Sequence, residues 1–192
     1  MIAIIKYNGG NVRSVQNALN RLGEKSIVTD DFELIRKADK VIFPGVGEAS
    51  STMKLLKEKG LDELIPKLTQ PVLGICLGMQ LMCGHNEEGN TMGMGIFDIN
   101  VKKFPSENIV PHMGWNTLMD LKSTLFSEIS EKDDFYFVHS YFCELSDFTT
   151  AVCDYILPFS ATLQKDNFFA TQFHPEKSGK SGSLLLKNFL KI

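Results

Sequence analysis

The chain has 192 residues, 43% hydrophobic and 22% charged, and its 20 basic against 23 acidic side chains leave a net charge of −3. This is ordinary globular usage, without the basic excess that a nucleic-acid binder carries. The length predicts one domain over residues 1–192, with a real core and no room for a second catalytic half.

In chain order, Ile2–Ile5 reads as a short apolar strand. Val12, Val15, Leu19 and Leu22 share one helical face, and Gly23 stands where that helix would close. Strands follow over 25–29 and 41–43, then a helix over 48–59 closed by Gly60, then a strand over 72–75 entered from Pro71. Strands separated by helical segments predict βαβ units around a parallel sheet. The second half differs, because twelve of the 14 phenylalanines lie at Phe97 or later. Strand-like segments succeed one another there over 99–104, 134–140, 151–156, 158–163 and 168–173, before a last helix over about 182–190. The expected fold is α/β, with an added antiparallel or mixed sheet in the second half.

The four cysteines (Cys76, Cys83, Cys143, Cys153) show neither a CxxC pair nor a zinc-ligand spacing. No metal and no cofactor is expected, and free thiols fit a cytoplasmic chain. The opening MIAIIKY is too short for a signal-peptide core. The apolar stretch over 71–82 contains Gln80 and falls short of a membrane span.

Three stretches carry chemistry. Gly74-Ile75-Cys76-Leu77-Gly78 follows an apolar strand and precedes a helical pattern, the context of a nucleophile elbow with Cys in place of Ser. Its glycines leave space at a tight bend, the helix N-terminus favours thiolate, and the Leu77 amide follows the nucleophile where an oxyanion donor belongs. A buried cysteine at a tight turn gives the same pentapeptide. Phe173-His174-Pro175-Glu176 sets a His and a Glu two residues apart, on one side of extended backbone, with Pro175 stiffening the pair. Cys76, His174 and Glu176 together supply nucleophile, base and orienting acceptor. In isolation, His174 also reads as a turn residue and Glu176 as a solvated helix start. Pro44-Gly45-Val46-Gly47 admits a dinucleotide-binding reading, but Ser50 stands where the third glycine belongs and the motif follows the third strand. A loop whose backbone amides bind a carbonyl or carboxylate oxygen fits better. His85 reads as a surface residue at the end of the elbow helix. His112 and His139 read as packing residues in aromatic-rich segments. Trp115, the one tryptophan, reads as an interface anchor or a partly buried core residue.

GICLGMQ over 74–80 and HPE over 174–176 resemble the class I (triad) glutamine amidotransferases. PGVG over 44–47, VPHMGWN over 110–116, FYFVHSY over 135–141 and TQFHPEKS over 171–178 narrow the resemblance to the glutaminase subunits of imidazole glycerol phosphate synthase. The resemblance runs the length of the chain. It implies a flavodoxin-like, mostly parallel central sheet flanked by helices. It implies that Cys76 attacks the side-chain amide of L-glutamine, that His174 moves the proton and that Glu176 orients His174. It places Leu77, Gly45, Val46 and Gly47 at the oxyanion, and Gln80, Ser140 and Tyr141 at the glutamine head group. It implies a heterodimer whose partner is a (β/α)8-barrel cyclase subunit, with Asn11, Trp115, Tyr136 and Lys177 near that interface. The cyclase takes the ammonia and forms imidazole glycerol phosphate and an aminoimidazole carboxamide ribonucleotide, in histidine biosynthesis. Neither nucleic acid nor membrane is implied. One departure is Lys6-Tyr7-Asn8-Gly9-Gly10-Asn11, where the family often has Asp-Tyr-Gly-x-Gly-Asn. Lys6 changes the local charge, while Asn8 tolerates a left-handed backbone. The competing readings are a glutaminase serving another acceptor (anthranilate, aminodeoxychorismate, GMP or pyridoxal phosphate synthesis), a stand-alone cysteine hydrolase, and a non-enzymatic binding module.

Overall fold

The first β-α-β unit runs β1 (Ile2–Ile5), α1 (Val12–Arg21) and β2 (Ser26–Thr29). It is followed by α2 (Phe32–Lys37), β3 (Lys40–Gly45), α3 (Ala49–Glu58) and α4 (Leu61–Leu64). Then come β4 (Val72–Cys76), α5 (Leu77–Met82), β5 (Cys83–Asn86), β6 (Thr91–Met92) and β7 (Phe97–Lys103). The rest is β8 (His112–Thr117), β9 (Asp134–His139), β10 (Tyr141–Cys143), β11 (Thr149–Asp154), β12 (Pro158–Lys165), β13 (Phe168–Thr171) and α6 (Gly179–Lys191). The computed structural model describes residues 1–7, 11–106 and 109–192. Asn8, Gly9 and Gly10 of the departing loop lie outside the described residues.

Among the described residues, eleven strands form one sheet in the order β2-β1-β3-β4-β13-β12-β10-β7-β5-β6, with β11 paired to β12. The first five of these run parallel, and from β13–β12 onward the pairs are antiparallel except β7 with β5, which is parallel. The added strands of the second half therefore continue the parallel sheet, and β8 and β9 alone form a separate antiparallel pair. Alternate residues of each central strand face opposite cores, as the period of two requires. Ala3, Ile5 and Val72 pack under α2, α3 and α4, whereas Ile4, Leu73 and Ile75 pack under α1 and α6. Phe135, Phe137 and Phe159 join the second core, which explains the late concentration of phenylalanine.

Some local expectations shift. The helix α2 is only six residues long, too short for a periodic signal, yet the Asp31 side chain caps it through the amides of Glu33 and Leu34. The elbow helix α5 stops at Met82 because Cys83 is extended and pairs with Phe97. His85 thus lies on β5, half-buried, and not at a helix end. The last helix begins at Gly179, earlier than expected, and β13 ends at Thr171, ahead of the His174 segment. No helix among the described residues is long and apolar enough to cross a membrane.

Candidate active site

β4 is flanked by parallel strands on both sides. Gly45 of β3 lies opposite Cys76, and Thr171 of β13 lies opposite Ile75. The chain leaves all three strands at the same edge of the sheet, the carboxyl edge where open α/β sheets form crevices. That edge gathers the Pro44-Gly45-Val46-Gly47 loop, Cys76 and the segment from Gln172 to Glu176.

Cys76 sits at the bend with φ 52° and ψ −110°, a strained conformation for a side-chain-bearing residue. A Cβ on Gly78 would run into the Phe43 carbonyl oxygen, and one on Gly74 would lie 2.8 Å from the Met82 sulfur and 3.1 Å from the Gly78 carbonyl carbon. The two glycines let β3, β4 and α5 close around the bend. With six residues, α5 is under two turns, so its dipole is a small contribution at Cys76.

His174 and Glu176 are both buried. The His174 Nδ1 lies 2.8 Å from Glu176 Oε1, which also accepts from Asn11 Nδ2 at 3.1 Å. The pair does not rest on a continuous strand. His174 is extended, and Pro175 opens a 3-10 turn that swings Glu176 back under the ring. The β9 backbone fixes this geometry: the His174 amide donates to the Tyr136 carbonyl at 2.9 Å, and Ser178 Oγ bridges the Tyr136 amide and the His174 carbonyl. The His174 Nε2 is buried without a hydrogen-bond partner, while the ring and Cys76 line the same cavity. Burial alone would lower the His174 pKa. The Cys76 sulfur and then the Glu176 carboxylate outweigh it and carry the pKa up to about 10. An imidazolium at neutral pH is a proton donor, here beside the Cys76 sulfur.

The cavity has a volume of about 410 Å³. Of the residues expected at the oxyanion and substrate, Val46, Gly47, Leu77, Gln80, Ser140 and Tyr141 line it, whereas Gly45 lies beneath it, packed against Leu77 and Gly78. Gln80 donates through Nε2 to the Tyr141 carbonyl at 2.9 Å and to Gln172 Oε1 at 3.0 Å. Both amide hydrogens are committed, so Gln80 presents a ligand with an acceptor only. Sequence reasoning gave no role to Glu88 or Gln172, and it read His139, which also lines the cavity, as a packing residue. Glu88 lines the cavity from a turn after β5 and accepts from the Ala49 amide at 2.8 Å, with burial raising its pKa. No spacing rule marks it. Gln172 stands two residues before His174, but nothing in that motif marks its contact with Cys76.

His112 and His139 are buried, as packing residues should be. His139 Nδ1 lies 2.7 Å from the Tyr141 carbonyl, and its Nε2 lies 3.1 Å from His112 Nδ1. The carbonyl only accepts, so His139 donates from Nδ1 and His112 donates to the free lone pair of His139. Burial lowers the pKa of His139 to about 3 and that of His112 to about 4.

Around the triad, Trp115 on β8 lies opposite Tyr136 on β9, with ring centroids 5.9 Å apart. The Lys177 ammonium is 6.0 Å from the Tyr136 ring centroid. Trp115 is 56% exposed and Met113, two residues earlier on the same face, is 62% exposed. Trp115 is therefore a surface residue, in keeping with the anchor reading. Asn11, Trp115, Tyr136 and Lys177 all lie on or next to the turn that carries Glu176.

The family model for glutamine amidotransferase class-I matches residues 3–192. The chain is 60% identical over 194 residues to the imidazole glycerol phosphate synthase subunit HisH of Bacteroides fragilis (strain ATCC 25285), spanning 100% of this chain and 99% of that protein. It is 48% identical over 192 residues to the protein of the same name from Pasteurella multocida, spanning 99% and 97%. In fold it is similar to a solved glutamine amidotransferase, at TM-score 0.75 and 19% identity over 100% of this chain and 98% of that one. It is also similar to the structure of PurLQS from Thermotoga maritima, at TM-score 0.74 and 18% identity over 99% and 97%.

The buried neutral histidines have a pH consequence of fixed sign. Their pKa values are lower in the folded chain than the ordinary 6.5, so the unfolded chain binds more protons between those values. Their contribution to stability is present above about 6.5 and is lost as pH falls toward about 4. Urea unfolding of wild type and His139→Asn between pH 7 and pH 4.5 should show a smaller acid loss in the variant. Equal losses contradict the assignment.

Proposed function

The chain belongs to the class-I glutamine amidotransferase family, and from that membership we propose that it is the glutaminase subunit of an imidazole glycerol phosphate synthase in histidine biosynthesis. The observation that carries this reading is identity of 60% across the whole length of a protein so named. Cys76 and His174 line one cavity of about 410 Å³, roomy enough for glutamine, and Glu176 holds His174 from behind, which supports the chemistry. Residues 3–192 are covered by one family model, which supports a single amidotransferase domain over 1–192. Four free, buried thiols support a cytoplasmic setting.

L-Glutamine enters the cavity with its side-chain carboxamide toward Cys76. The Cys76 thiolate attacks the amide carbon, and the carbonyl oxygen takes up negative charge against the Leu77 amide and the backbone of Val46 and Gly47, while Gly45 packs beneath them. His174, held by Glu176, gives its proton to the departing nitrogen. The C–N bond breaks, ammonia leaves, and a γ-glutamyl thioester remains on Sγ. His174, now neutral, takes a proton from water as the water oxygen attacks the thioester carbon. Glutamate leaves and the thiolate is restored, so glutamine and water become glutamate and ammonia. The substrate's α-ammonium is met by the Glu88 carboxylate and the Gln80 carbonyl, and its α-carboxylate by backbone at Ser140 and Tyr141. The surface of Asn11, Met113, Trp115, Tyr136 and Lys177 receives the (β/α)8-barrel cyclase subunit. Its exposed aromatic and methionine side chains fit an interface core.

In the complex with the cyclase, Cys76→Ala should cut glutamine-driven cyclisation by at least about a thousandfold and leave ammonia-driven cyclisation intact. Wild-type turnover from glutamine in the variant would remove Cys76 from the mechanism. Glu88→Gln takes a charged partner from the ammonium and should raise KM for glutamine by about tenfold or more, with a smaller effect on kcat. An unchanged KM would show that Glu88 does not touch the substrate.

A further inference from the structure

Three side-chain amides form a buried line that ends on the nucleophile. Asn86 Nδ2 approaches Gln80 Oε1 at 3.5 Å, Gln80 Nε2 donates to Gln172 Oε1 at 3.0 Å, and Gln172 Nε2 donates to Cys76 Sγ at 3.7 Å. The orientation of the line follows from one fixed acceptor. The Tyr141 carbonyl can only accept, so the Gln80 atom 2.9 Å from it is nitrogen. That nitrogen's second hydrogen needs an acceptor, which places the Gln172 oxygen toward Gln80. The Gln172 nitrogen is thereby turned to the sulfur. Gln172 is 0% exposed, and its own backbone is pinned by donation to the Ala161 carbonyl at 2.8 Å. A buried amide donor that lacks an acceptor is costly, and a thiolate accepts far better than a thiol.

We propose that Gln172 is a positioning residue for the glutaminase step: its Nε2 holds Cys76 Sγ in place and favours the thiolate. The proposal deepens the glutaminase reading and rests on it for the kinetic consequence, but the contact itself does not depend on that reading. Around the sulfur, His174 supplies the positive partner, His139 shares the cavity as a neutral ring, Glu88 lines its wall, and Tyr7 lies close enough for Cys76 to raise its pKa. Burial is the larger cause at Tyr7, and it keeps the phenol neutral. Among these groups Gln172 is the neutral side chain that donates directly to the sulfur. It acts through Cys76 and touches no substrate.

The test is the pH profile of Cys76 alkylation by iodoacetamide in the full chain, alone and bound to its cyclase partner. Gln172→Met keeps most of the volume and removes the donor. Gln172→Glu keeps the oxygen that faces Gln80 and replaces the donor. In both, the midpoint of alkylation should move to higher pH by about one unit, which corresponds to about a tenfold loss of thiolate. In the complex, kcat for glutamine should fall about tenfold in Gln172→Glu while KM stays within about twofold. A purely structural role would leave the alkylation midpoint unmoved, and an unmoved midpoint in either folded variant overturns the proposal. A wild-type measurement covers the case in which neither variant folds: the Gln172 side-chain amide resonance should follow Cys76 alkylation and titration, and a resonance blind to both overturns it. Should the wild type release no ammonia from glutamine, the glutaminase reading fails, while the alkylation profile still decides the contact.

Discussion

The pairing of β4 with β3 on one side and β13 on the other is the constraint from which the site follows. Parallel strands in that register end at one level, so three loops distant in sequence meet at one crevice. Cys76 caps the middle strand, the residue 44–47 loop leaves one neighbour, and the chain to His174 and Glu176 leaves the other. The bend at Cys76 is affordable only because Gly78 admits the Phe43 carbonyl against α5. Remove that close approach and the sulfur no longer projects from the sheet edge toward the histidine.

Electrostatics then divides two histidines that line the same cavity. His139 is buried among aromatic rings with a neutral partner, and desolvation keeps it uncharged. His174 is as buried, but the sulfur and the carboxylate on its two sides make the charged form the stable one. Two residues of one type thus take different roles through their neighbours alone, a familiar way for one site to run acid and base chemistry at one pH. The neutral His139 also spares the site a second positive charge, since each imidazolium would repel the other.

The cluster of Cys76, His174 and Glu176 was legible because two short motifs each state a local geometry: glycines flanking a cysteine at a strand end, and a histidine and glutamate flanking a proline. The parallel half was legible because its apolar runs alternate with helical faces. The strand β8 was not, because its inward residues are His112, Gly114 and Asn116, which carry no apolar alternation. The helix α2 was lost to its length. The pocket wall was least legible. Glu88 reaches the cavity from a short turn, and Gln172, buried behind the wall, meets Cys76 across 96 residues of sequence, contacts that only the sheet register creates. The expectation that His174 and Glu176 share an extended strand gave the right partnership on the wrong backbone, since Pro175 begins a turn.

The exposed Trp115 and Met113 stand on β8, whose paired strand β9 holds the His174 amide through the Tyr136 carbonyl. The central claim is that ammonia is released through a covalent bond to Cys76. Acid quenching of the complex during glutamine turnover, followed by mass spectrometry of its cysteine peptides, tests it most directly. A γ-glutamyl increment on the Cys76 peptide, with Cys83, Cys143 and Cys153 unmodified, is the predicted result. An adduct on one of those three cysteines, or steady ammonia release with Cys76 never acylated, would contradict it.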